Sequence, residues 1–563
     1  MAVAVFGSRH NRKTFNAKTK SRTQLDRPHM INFFRSVTTA LTVLALLAST
    51  TLHANNIQVA NAALAGNNSI SAFAFVQFDV SWENSWKGNG INNWDAAWVF
   101  AKYRTAGGAW QHVQFNNTGH TAPAGSQIDL GLLTPGTAFN ANTNPVIGTY
   151  LLRSAEGTGT FSATGVQLRW NYGLQGLNYA DIAEVRVFAI EMVYVPQGAF
   201  FVGTGGTEDG SFTEGSWVSG ATIPRQITSE GAITIGTGAG NLWGTSNTGN
   251  DNTIGPAGSL ASSYPKGFAA FYCMKYEVTQ QGYVDFLNTL TYTQQVTRTA
   301  TVPASVAGTG ALSSTNLNRN GIDIQTPGVA STTPAVYACN LDGDAVYGEA
   351  VDGKDIACNW ISWGDLTAYL DWSGHRPMTE LEFEKACRGT LAPGANEYPW
   401  GTTGVAVGAY ALANAGAINE GIATNYSPTL GNASYSTTDG AINGPLRVGI
   451  LAANGSNTGR NTSGAGYYGI MEMGGNLWER PVTIGNANGR AFTGSHGNGT
   501  LLTTGDPDVA TWPTPITASG AGFRGGSWID AGLEMRVSSR SAASTATVQR
   551  IEYVGGRGIR SAP

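Results

Sequence analysis

Residues 522–544 read GFRGGSWIDAGLEMRVSSRSAAS and combine two kinds of position. The first kind is typical of a structural framework and comprises Gly525, Gly526, Trp528, Arg536 and Arg540. Between Trp528 and Arg536 lies the segment IDAGLEM, which follows no obvious structural rule. This segment is therefore an active site, a recognition surface or a plain loop, and the remaining residues must decide between the three.

The composition indicates a large, loop-rich protein. The chain has 563 residues, of which 74 are glycine, and only 12% are charged. This length predicts roughly two to four domains. Abundant glycine with few charges favours β-structure and long loops over a helical bundle.

Residues 1–54 have the features of an export signal. The apolar segment LTVLALLA (41–48) follows the positive charge of Arg35, and Leu-His-Ala at 52–54 offers a small-residue cleavage site. The apolar run is shorter than the roughly 20 residues that a membrane span requires. We therefore expect a secreted, periplasmic or cell-surface protein with no transmembrane anchor after signal removal, and its true start is Met1 or Met30.

Charge and cysteine content narrow the function classes further. Removing residues 1–54, which hold eight basic and one acidic residue, leaves 25 basic and 36 acidic residues. Such an acidic exported protein is a poor nucleic-acid binder. An oxidising compartment permits disulfides, and we expect one between Cys339 and Cys358, which flank the turn-rich segment LDGDAVYGEAVDGKD.

Residues 55–190 have the pattern of a small all-β sandwich. Short alternating segments such as FAFVQFDVSW and GVQLRWNYG are separated by Gly, Asn, Thr and Pro clusters, which predicts strands joined by turns. The tryptophans of this region suit either a carbohydrate platform or a core. Burial tendency favours the core for Trp82, Trp98 and Trp170, which fall within the strand patterns.

Residues 191–563 have a different pattern, with short helices among long loops. EVTQQGYVDFLNTL carries apolar residues at helical spacing after a capping Thr279, and MTELEFEKACRG begins with a Thr379–Glu382 capping box and ends at Gly389. Segments 203–262 and 291–335 are polar and predict surface insertions. The second region is thus an α+β domain.

Eight motifs follow one another in this second region. They are MVYVPQGAFFVGT (192–204), KYEVTQQGYVDFLN (275–288), ISWGDLTAYLDW (361–372), HRPMTELEFEKACRG (375–389), YPWG (398–401), YGIMEMGGNLWER (468–480), FRGGSW (523–528) and GGRGIR (555–560). In these motifs and their order, residues 191–563 resemble the formylglycine-generating enzyme family, also called the sulfatase-modifying factor family. The resemblance implies a C-type-lectin-like fold.

The resemblance in fold does not carry the family's chemistry with it. The oxidase members hold copper with two cysteines just after the GGS element, because thiolates suit Cu(I). Asp530 and Met535 stand at those positions here, and neither supplies a thiolate. Relatives that use iron bind it through a separate His-rich helical domain, whereas the N-terminal region here is β-patterned. We therefore expect neither copper nor iron, and we assign no catalytic residue.

The family's calcium sites transfer better to this sequence. In MEMGGNLWE, Glu472 and Glu479 would give carboxylates and Gly475 and Leu477 would give carbonyls, the hard oxygen ligands that Ca²⁺ prefers. The alternative is that the two glutamates only satisfy loop amides. The resemblance also implies a second site at Asn414, Ala415 and Asp439.

The function that these observations favour is non-catalytic binding of a protein or glycan through the C-terminal lectin-like surface. The layout resembles the variable proteins of diversity-generating retroelements, in which a hypervariable region lies on such a framework. The alternatives are an oxidase of the formylglycine-generating type, or a surface or filament component that self-assembles. The expected ligand-binding residues are Trp528, Ile529, Asp530, Leu533, Glu534, Met535, Ser539 and Ser541.

Overall fold

The computed structural model describes residues 56–563 except residues 89, 246–253, 314 and 316. The expected export signal at 1–54 lies outside the described residues. Among the described helices, none has both the length and the apolar character that crossing a bilayer requires. The described chain is mainly β-structure, with 30% of residues in strands and 11% in helices.

The N-terminal part is built from long antiparallel strands. In the second strand, Ala74, Val76, Phe78 and Val80 are buried while the residues between them are partly exposed, so the predicted alternation of FAFVQFDVSW is confirmed. The strands are β1 (Gln58–Asn68), β2 (Phe73–Gly88), β3 (Asn93–Thr105), β4 (Gln111–His112), β5 (Ser126–Leu132), β6 (Val146–Arg153), β7 (Gly157–Trp170) and β8 (Ile182–Val195).

Strand β3 is buried on both faces. Ala97 and Val99 belong to the same hydrophobic cluster as the buried side of β2. Trp98 and Phe100, on the opposite face, belong to a second cluster formed mainly by residues beyond 195. The Trp98 indole donates a 2.7 Å hydrogen bond to the carbonyl of Ser373. Strand β3 therefore links two cores.

One sheet continues from the N-terminal strands into the C-terminal part. It runs in the order β1-β2-β3-β8 and continues through three short strands, β15 (Phe271–Met274), β21 (Gly558–Ser561) and β18 (Arg376–Pro377). Strand β8 pairs with β3 on one edge and with β15 on the other. The boundary expected at residue 190 falls inside β8, and the described residues from 56 onward belong to one compact unit. Local periodicity marked β8 as a strand but carried no information about its second partner.

The remaining strands are short, and those of segment 203–262 include a small four-stranded sheet in the order β10-β13-β12-β14. They are β9 (Phe200–Val202), β10 (Phe212–Glu214), β11 (Arg225–Ile227), β12 (Ile233–Ile235), β13 (Leu242–Gly244), β14 (Gly258–Leu260), β15 (Phe271–Met274), β16 (Ile322–Thr326), β17 (Val336–Cys339), β18 (Arg376–Pro377), β19 (Ala411–Ala413), β20 (Gly421–Thr424) and β21 (Gly558–Ser561).

The helices begin where the capping residues predict. Thr279 accepts a hydrogen bond from the amide of Gly282, and Thr379 and Glu382 form the expected capping box. The described helices are α1 (Gln280–Leu287), α2 (Tyr292–Arg298), α3 (Trp363–Trp372), α4 (Glu380–Arg388), α5 (Ser436–Asp439) and α6 (Ala487–Arg490), and 3₁₀ turns span Tyr172–Gln175, Tyr179–Asp181 and Gly532–Met535.

The expected disulfide between Cys339 and Cys358 is wrong for this structure, because all four cysteines are free and buried. Cys339 ends strand β17 opposite Ile322, and the Cys358 thiol lies 3.7 Å from the carbonyl of Asn359. A disulfide requires a specific distance and orientation of the two side chains, which spacing along the sequence does not determine.

Candidate functional site

Helix α4 anchors both ends of the C-terminal segment 524–540 through buried ion pairs. The Arg524 guanidinium lies 3.2 Å from a carboxylate oxygen of Glu380 and 2.8 Å from one of Glu384. Arg540 Nε lies 2.9 Å from Glu380. Burial alone would raise the pKa of Glu380, but the two guanidiniums hold it below its ordinary value. Arg524 and Arg540 therefore fix the segment instead of facing solvent.

A two-glycine turn follows Arg524. Gly525 and Gly526 have φ values of 93° and 70°, in the left-handed region that favours glycine. A Cβ on Gly525 would lie 2.8 Å from the carbonyl of Met473, and the Gly525 carbonyl accepts a 2.9 Å hydrogen bond from Gly475. The turn thus packs the segment against the loop at 472–479.

The residues expected to bind a ligand divide into exposed and buried positions. Ile529 is 39% exposed and Leu533 is 48% exposed, and Ala531 between them is also exposed. We call these three residues the 529–533 ridge. Trp528, Met535 and Ser539 are buried, whereas Asp530, Glu534 and Ser541 are partly exposed.

Met535 is a core residue. It is fully buried in a cluster with Tyr398, Trp400, Ala433 and Tyr435. The 3₁₀ turn at Gly532–Met535 sends Leu533 outward and Met535 inward. Sequence reasoning placed both on the surface because the segment lacks a periodicity that would separate the two faces.

The polar residues of the segment mostly bind one another. Glu534 accepts hydrogen bonds from the hydroxyls of Ser539 and Ser541. Asp530 accepts one from Ser527, and partial burial raises the pKa of the Asp530 carboxyl. These contacts stabilise the turn and leave the apolar ridge as its most accessible feature.

The ridge also has a neighbour that sequence reasoning missed. The amide of Ser436 donates a 3.0 Å hydrogen bond to the carbonyl of Asp530, and a Cβ on Gly532 would lie 3.3 Å from the Tyr435 ring. Helix α5 therefore borders the ridge. No local signal in the sequence joins these two segments.

The loop at 472–479 places two glutamates in the interior. Glu472 accepts a 2.9 Å hydrogen bond from the amide of Gly449 through Oε1, and Glu479 accepts one from Arg557 Nε through its own Oε1. The Oε2 atoms of both glutamates are buried, and no donor among the described residues reaches them. Each glutamate is thus only half satisfied by the protein.

The two main-chain oxygens expected beside them are unpaired as well. Within the described residues, no backbone amide donates to the carbonyl of Gly475 or of Leu477. The amide of Leu477 instead donates to Glu277 at 2.9 Å. Two carboxylate oxygens and two carbonyl oxygens of this loop are therefore free to bind something else.

The charges around this loop are unbalanced. Arg557 is the cation with the strongest effect on three buried carboxylates, those of Glu277, Glu472 and Glu479. Burial raises the pKa of Glu472 to about 7 and also raises the pKa values of Glu277 and Glu479. These four groups carry two negative charges in excess when all are ionised.

In the described residues, no hydrogen bond or ion pair joins Asp439 to Asn414 or Ala415, the other residues of the second expected calcium site. Asn414 and Ala415 are exposed in the turn between β19 and β20. The Asp439 carboxylate accepts hydrogen bonds from the amides of Asn443 at 3.0 Å and Gly444 at 3.4 Å. Both of its oxygens therefore have protein partners.

Asp530 and Met535 stand in a segment without cysteine, and the four cysteines of the described chain are buried elsewhere. Burial raises the pKa of Cys273 to about 12 and raises those of the other three. Burial thus disfavours the thiolate form of all four side chains.

Comparison with known proteins supports the resemblance seen in the motifs. A family model described as the sulfatase-modifying factor enzyme 1-like domain matches residues 184–562. This chain belongs to that family. The matched range begins in strand β8, so the shared sheet contains the start of the family domain.

Members of the sulfatase-modifying factor family with short matching segments include two formylglycine-generating enzymes. The enzyme of Streptomyces coelicolor is 51% identical over 41 residues, which cover 7% of this chain and 12% of that enzyme. The enzyme of Thermomonospora curvata is 30% identical over 119 residues, covering 21% and 30%. The chain thus spans less than a third of the length of these curated relatives.

A solved structure, Treponema denticola variable protein 1, is also similar to this chain. The match has 13% identity and a TM-score of 0.29, and it covers 66% of this chain and 96% of the other. A TM-score this low supports no conclusion about shared function.

Proposed function

We propose that this member of the sulfatase-modifying factor family is an exported, non-catalytic binding protein whose C-type-lectin-like domain presents the 529–533 ridge to a protein or glycan. The supporting observation is the accessibility of Ile529 and Leu533 on a turn whose flanking arginines, Arg524 and Arg540, are buried in ion pairs. Exposed apolar side chains on a rigid base give adaptable contact area without a large ordering cost.

The ridge is tested by binding screens with the purified protein on arrays of glycans and of exported proteins from the same organism. We expect at least one ligand whose binding Leu533→Ser abolishes. Leu174→Ser is the matched control, because Leu174 is also exposed, at 61%, and also lies on a 3₁₀ turn. Ligands that bind Leu533→Ser as well as the wild type would defeat the proposal.

The retroelement form of the proposal has its own test in the genome. It requires a near-copy of the DNA that encodes residues 523–560, differing mainly at adenines, beside a reverse transcriptase gene. If the copy is absent, the ridge is a fixed binding surface and not a hypervariable one.

The oxidase alternative is tested by copper content and by conversion of a cysteine-containing peptide. Because Asp530 and Met535 supply no thiolate, we expect no turnover and no stoichiometric copper after loading with Cu(I). Clear turnover would make this chain an enzyme and would overturn the non-catalytic assignment.

We further propose that Ca²⁺ binds the loop at 472–479 through the carboxylates of Glu472 and Glu479 and the carbonyls of Gly475 and Leu477. The support is the set of four unpaired oxygens and an excess of two negative charges, which one divalent ion would neutralise. A bound ion would stabilise the loop against the Gly525–Gly526 turn and so support the base of the ridge.

Calorimetric titration of the EDTA-treated protein with CaCl₂ tests this site. We expect Glu472→Gln to abolish binding. Asp344→Asn is the matched control, because the exposed carboxylates of Asp342, Asp344 and Glu349 also lie within 4.8 Å of one another. Loss of calcium binding in Asp344→Asn alone would move the site to that exposed cluster.

A further inference from the structure

A cavity of about 420 Å³ lies between strand β2 and the loop at 452–471, away from the 529–533 ridge. Four aromatic rings line it: Trp86, Tyr276, Tyr467 and Tyr468. Its volume falls in the range of small-molecule sites, which combine an apolar lining with a few polar groups.

A β-bulge directs Trp86 into this cavity. The register of β2 against β7 shifts between Trp82 and Ser85, where one extra residue is inserted. Trp82 and Ser85 are both buried towards the interior, so Trp86 takes the opposite side. Bulges commonly redirect a side chain in this way.

The Trp86 ring is held in place on two sides. Its indole N–H donates a 2.8 Å hydrogen bond to the side chain of Asn93. Gly469 has a φ of 90°, and a Cβ there would lie 3.1 Å from the ring. A side chain at position 469 would therefore compete with the tryptophan for space. The ring is pre-positioned, so ligand binding would require little further ordering of this side chain.

The polar groups of the cavity are incompletely satisfied. The Tyr468 hydroxyl and Arg460 Nε are buried, and neither has a hydrogen-bond partner among the described residues. Unpaired buried polar groups are costly, and hydroxyls of a ligand would satisfy them as both donors and acceptors.

Most side chains that line the cavity are uncharged. Lys275 Nζ lies 4.9 Å from the centroid of the Trp86 ring, on the interior side. It is neutralised there by Glu191 at 2.9 Å and Asp95 at 3.3 Å. Arg460 is the remaining charged lining residue, and it donates hydrogen bonds to the carbonyls of Cys387 and Pro399. Lys275 is thus compensated by its two carboxylates, and an anionic group on a ligand would have Arg460 as its counter-ion among the described lining residues.

We infer that this cavity is a second binding site, specific for a neutral saccharide. A sugar ring has apolar C–H faces that pack on aromatic rings, and its hydroxyls would pair with the tyrosine and arginine donors. The tyrosines supply apolar area together with a polar end, as sites of mixed character require. The inference is independent of the 529–533 ridge, because the two sites share no residue.

Titration of the intact protein with neutral hexasaccharides tests the inference. The probes are cellohexaose, maltohexaose, mannohexaose and chitohexaose, and binding is followed by tryptophan fluorescence and calorimetry. We expect at least one probe to bind. Trp86→Ala should weaken that binding by about tenfold or more, and Tyr468→Phe, which keeps the ring and removes only the hydroxyl, should weaken it by a smaller factor.

Trp110→Ala is the matched control, since Trp110 is another partly exposed tryptophan and packs outside the cavity against Arg104 and Arg186. Leu533→Ser should also bind normally. The inference is overturned if no neutral hexasaccharide binds the wild type, or if only a galacturonate hexamer binds. It is also overturned if Tyr468→Phe and a folded Trp86→Ala both bind as tightly as the wild type.

Discussion

Two buried clusters of charged side chains in the family domain differ in their charge balance. The first cluster has three carboxylates and three guanidiniums, from Glu380, Glu384, Glu397, Arg388, Arg524 and Arg540. The second has three carboxylates around one guanidinium, from Glu277, Glu472, Glu479 and Arg557. Both clusters are buried, so neither is strongly screened by solvent.

The difference is visible in the acid–base behaviour of equally buried groups. Although burial acts in the opposite direction, two arginines lower the pKa of Glu380, whereas the pKa of Glu472 is raised by burial to about 7. The first cluster is therefore complete without help from solution. The second has more carboxylates than guanidiniums, although Arg447 also acts on Glu472, and the proposed calcium ion would add the missing positive charge.

Breaking the balanced cluster should have the largest effect. Glu380→Gln removes a charge that Arg524 and Arg540 share and leaves their guanidiniums buried with less compensation. We expect a loss of about 3–5 kcal/mol in the free energy of unfolding, measured by chemical denaturation, with or without calcium.

Glu184→Gln is the matched control for that change. Glu184 also pairs with two arginines, Arg104 and Arg186, but these pairs are partly exposed. Screened pairs of this kind contribute less, and we expect a loss below about 1 kcal/mol. Equal losses in the two variants would show that burial does not distinguish the pairs.

The unbalanced cluster should make stability depend on pH when calcium is removed. The pKa of Glu472 is about 7 in the folded protein and about 4.3 in an unfolded chain. The folded state therefore binds the proton more tightly, and the group's contribution to stability falls as the pH rises through 7. In EDTA, the free energy of unfolding of the wild type should fall by about 1 kcal/mol relative to that of Glu472→Gln between pH 6 and pH 8.

Chemical denaturation of both proteins at pH 6, 7 and 8 measures this difference, and other titrating groups cancel in the comparison. With saturating calcium, the free energy of unfolding of the wild type should instead rise relative to that of the variant as the pH rises, because the ion binds the ionised carboxylate. If the two free energies of unfolding differ by the same amount at all three pH values in EDTA, a charged group of the protein already compensates the Glu472 carboxylate.

The smallest effect is expected at the ridge, which lies outside both clusters. Leu533→Ser should change the free energy of unfolding by less than about 0.5 kcal/mol, as is usual for exposed positions. Thermal or chemical unfolding checks this. A larger loss would place Leu533 in the packing of the turn and would remove the distinction between ridge and framework.

Local patterns in the sequence predicted much of the secondary structure. The alternation in β2 and the caps at Thr279 and Thr379 act over a few residues, so they are readable from the chain alone. Gly389, where the pattern predicted the end of a helix, follows α4 directly with a φ of 67°. The eight ordered motifs placed the family domain, and the family model supports that placement.

The candidate site was predicted less completely, because its properties depend on contacts between distant segments. Leu533 and Met535 are two residues apart and alike in the sequence, yet only the packing of Tyr398 and Tyr435 around Met535 separates them. Glu277 lies about 200 residues from Glu479 in the sequence, and its place beside the 472–479 loop had no local signal. The cysteine pairing failed for the same reason.

The shared strand β8 has a practical consequence for any shorter form of this protein. A fragment that begins at residue 191 would keep strand β15 but would lose β3 and most of β8. It would also lose Phe100 and Phe188, which pack against Trp372. Its sheet would end in an open, apolar edge, which invites pairing between molecules and aggregation. The N-terminal strands therefore act as a built-in edge cover for the family domain, and fragments for expression should start before β1.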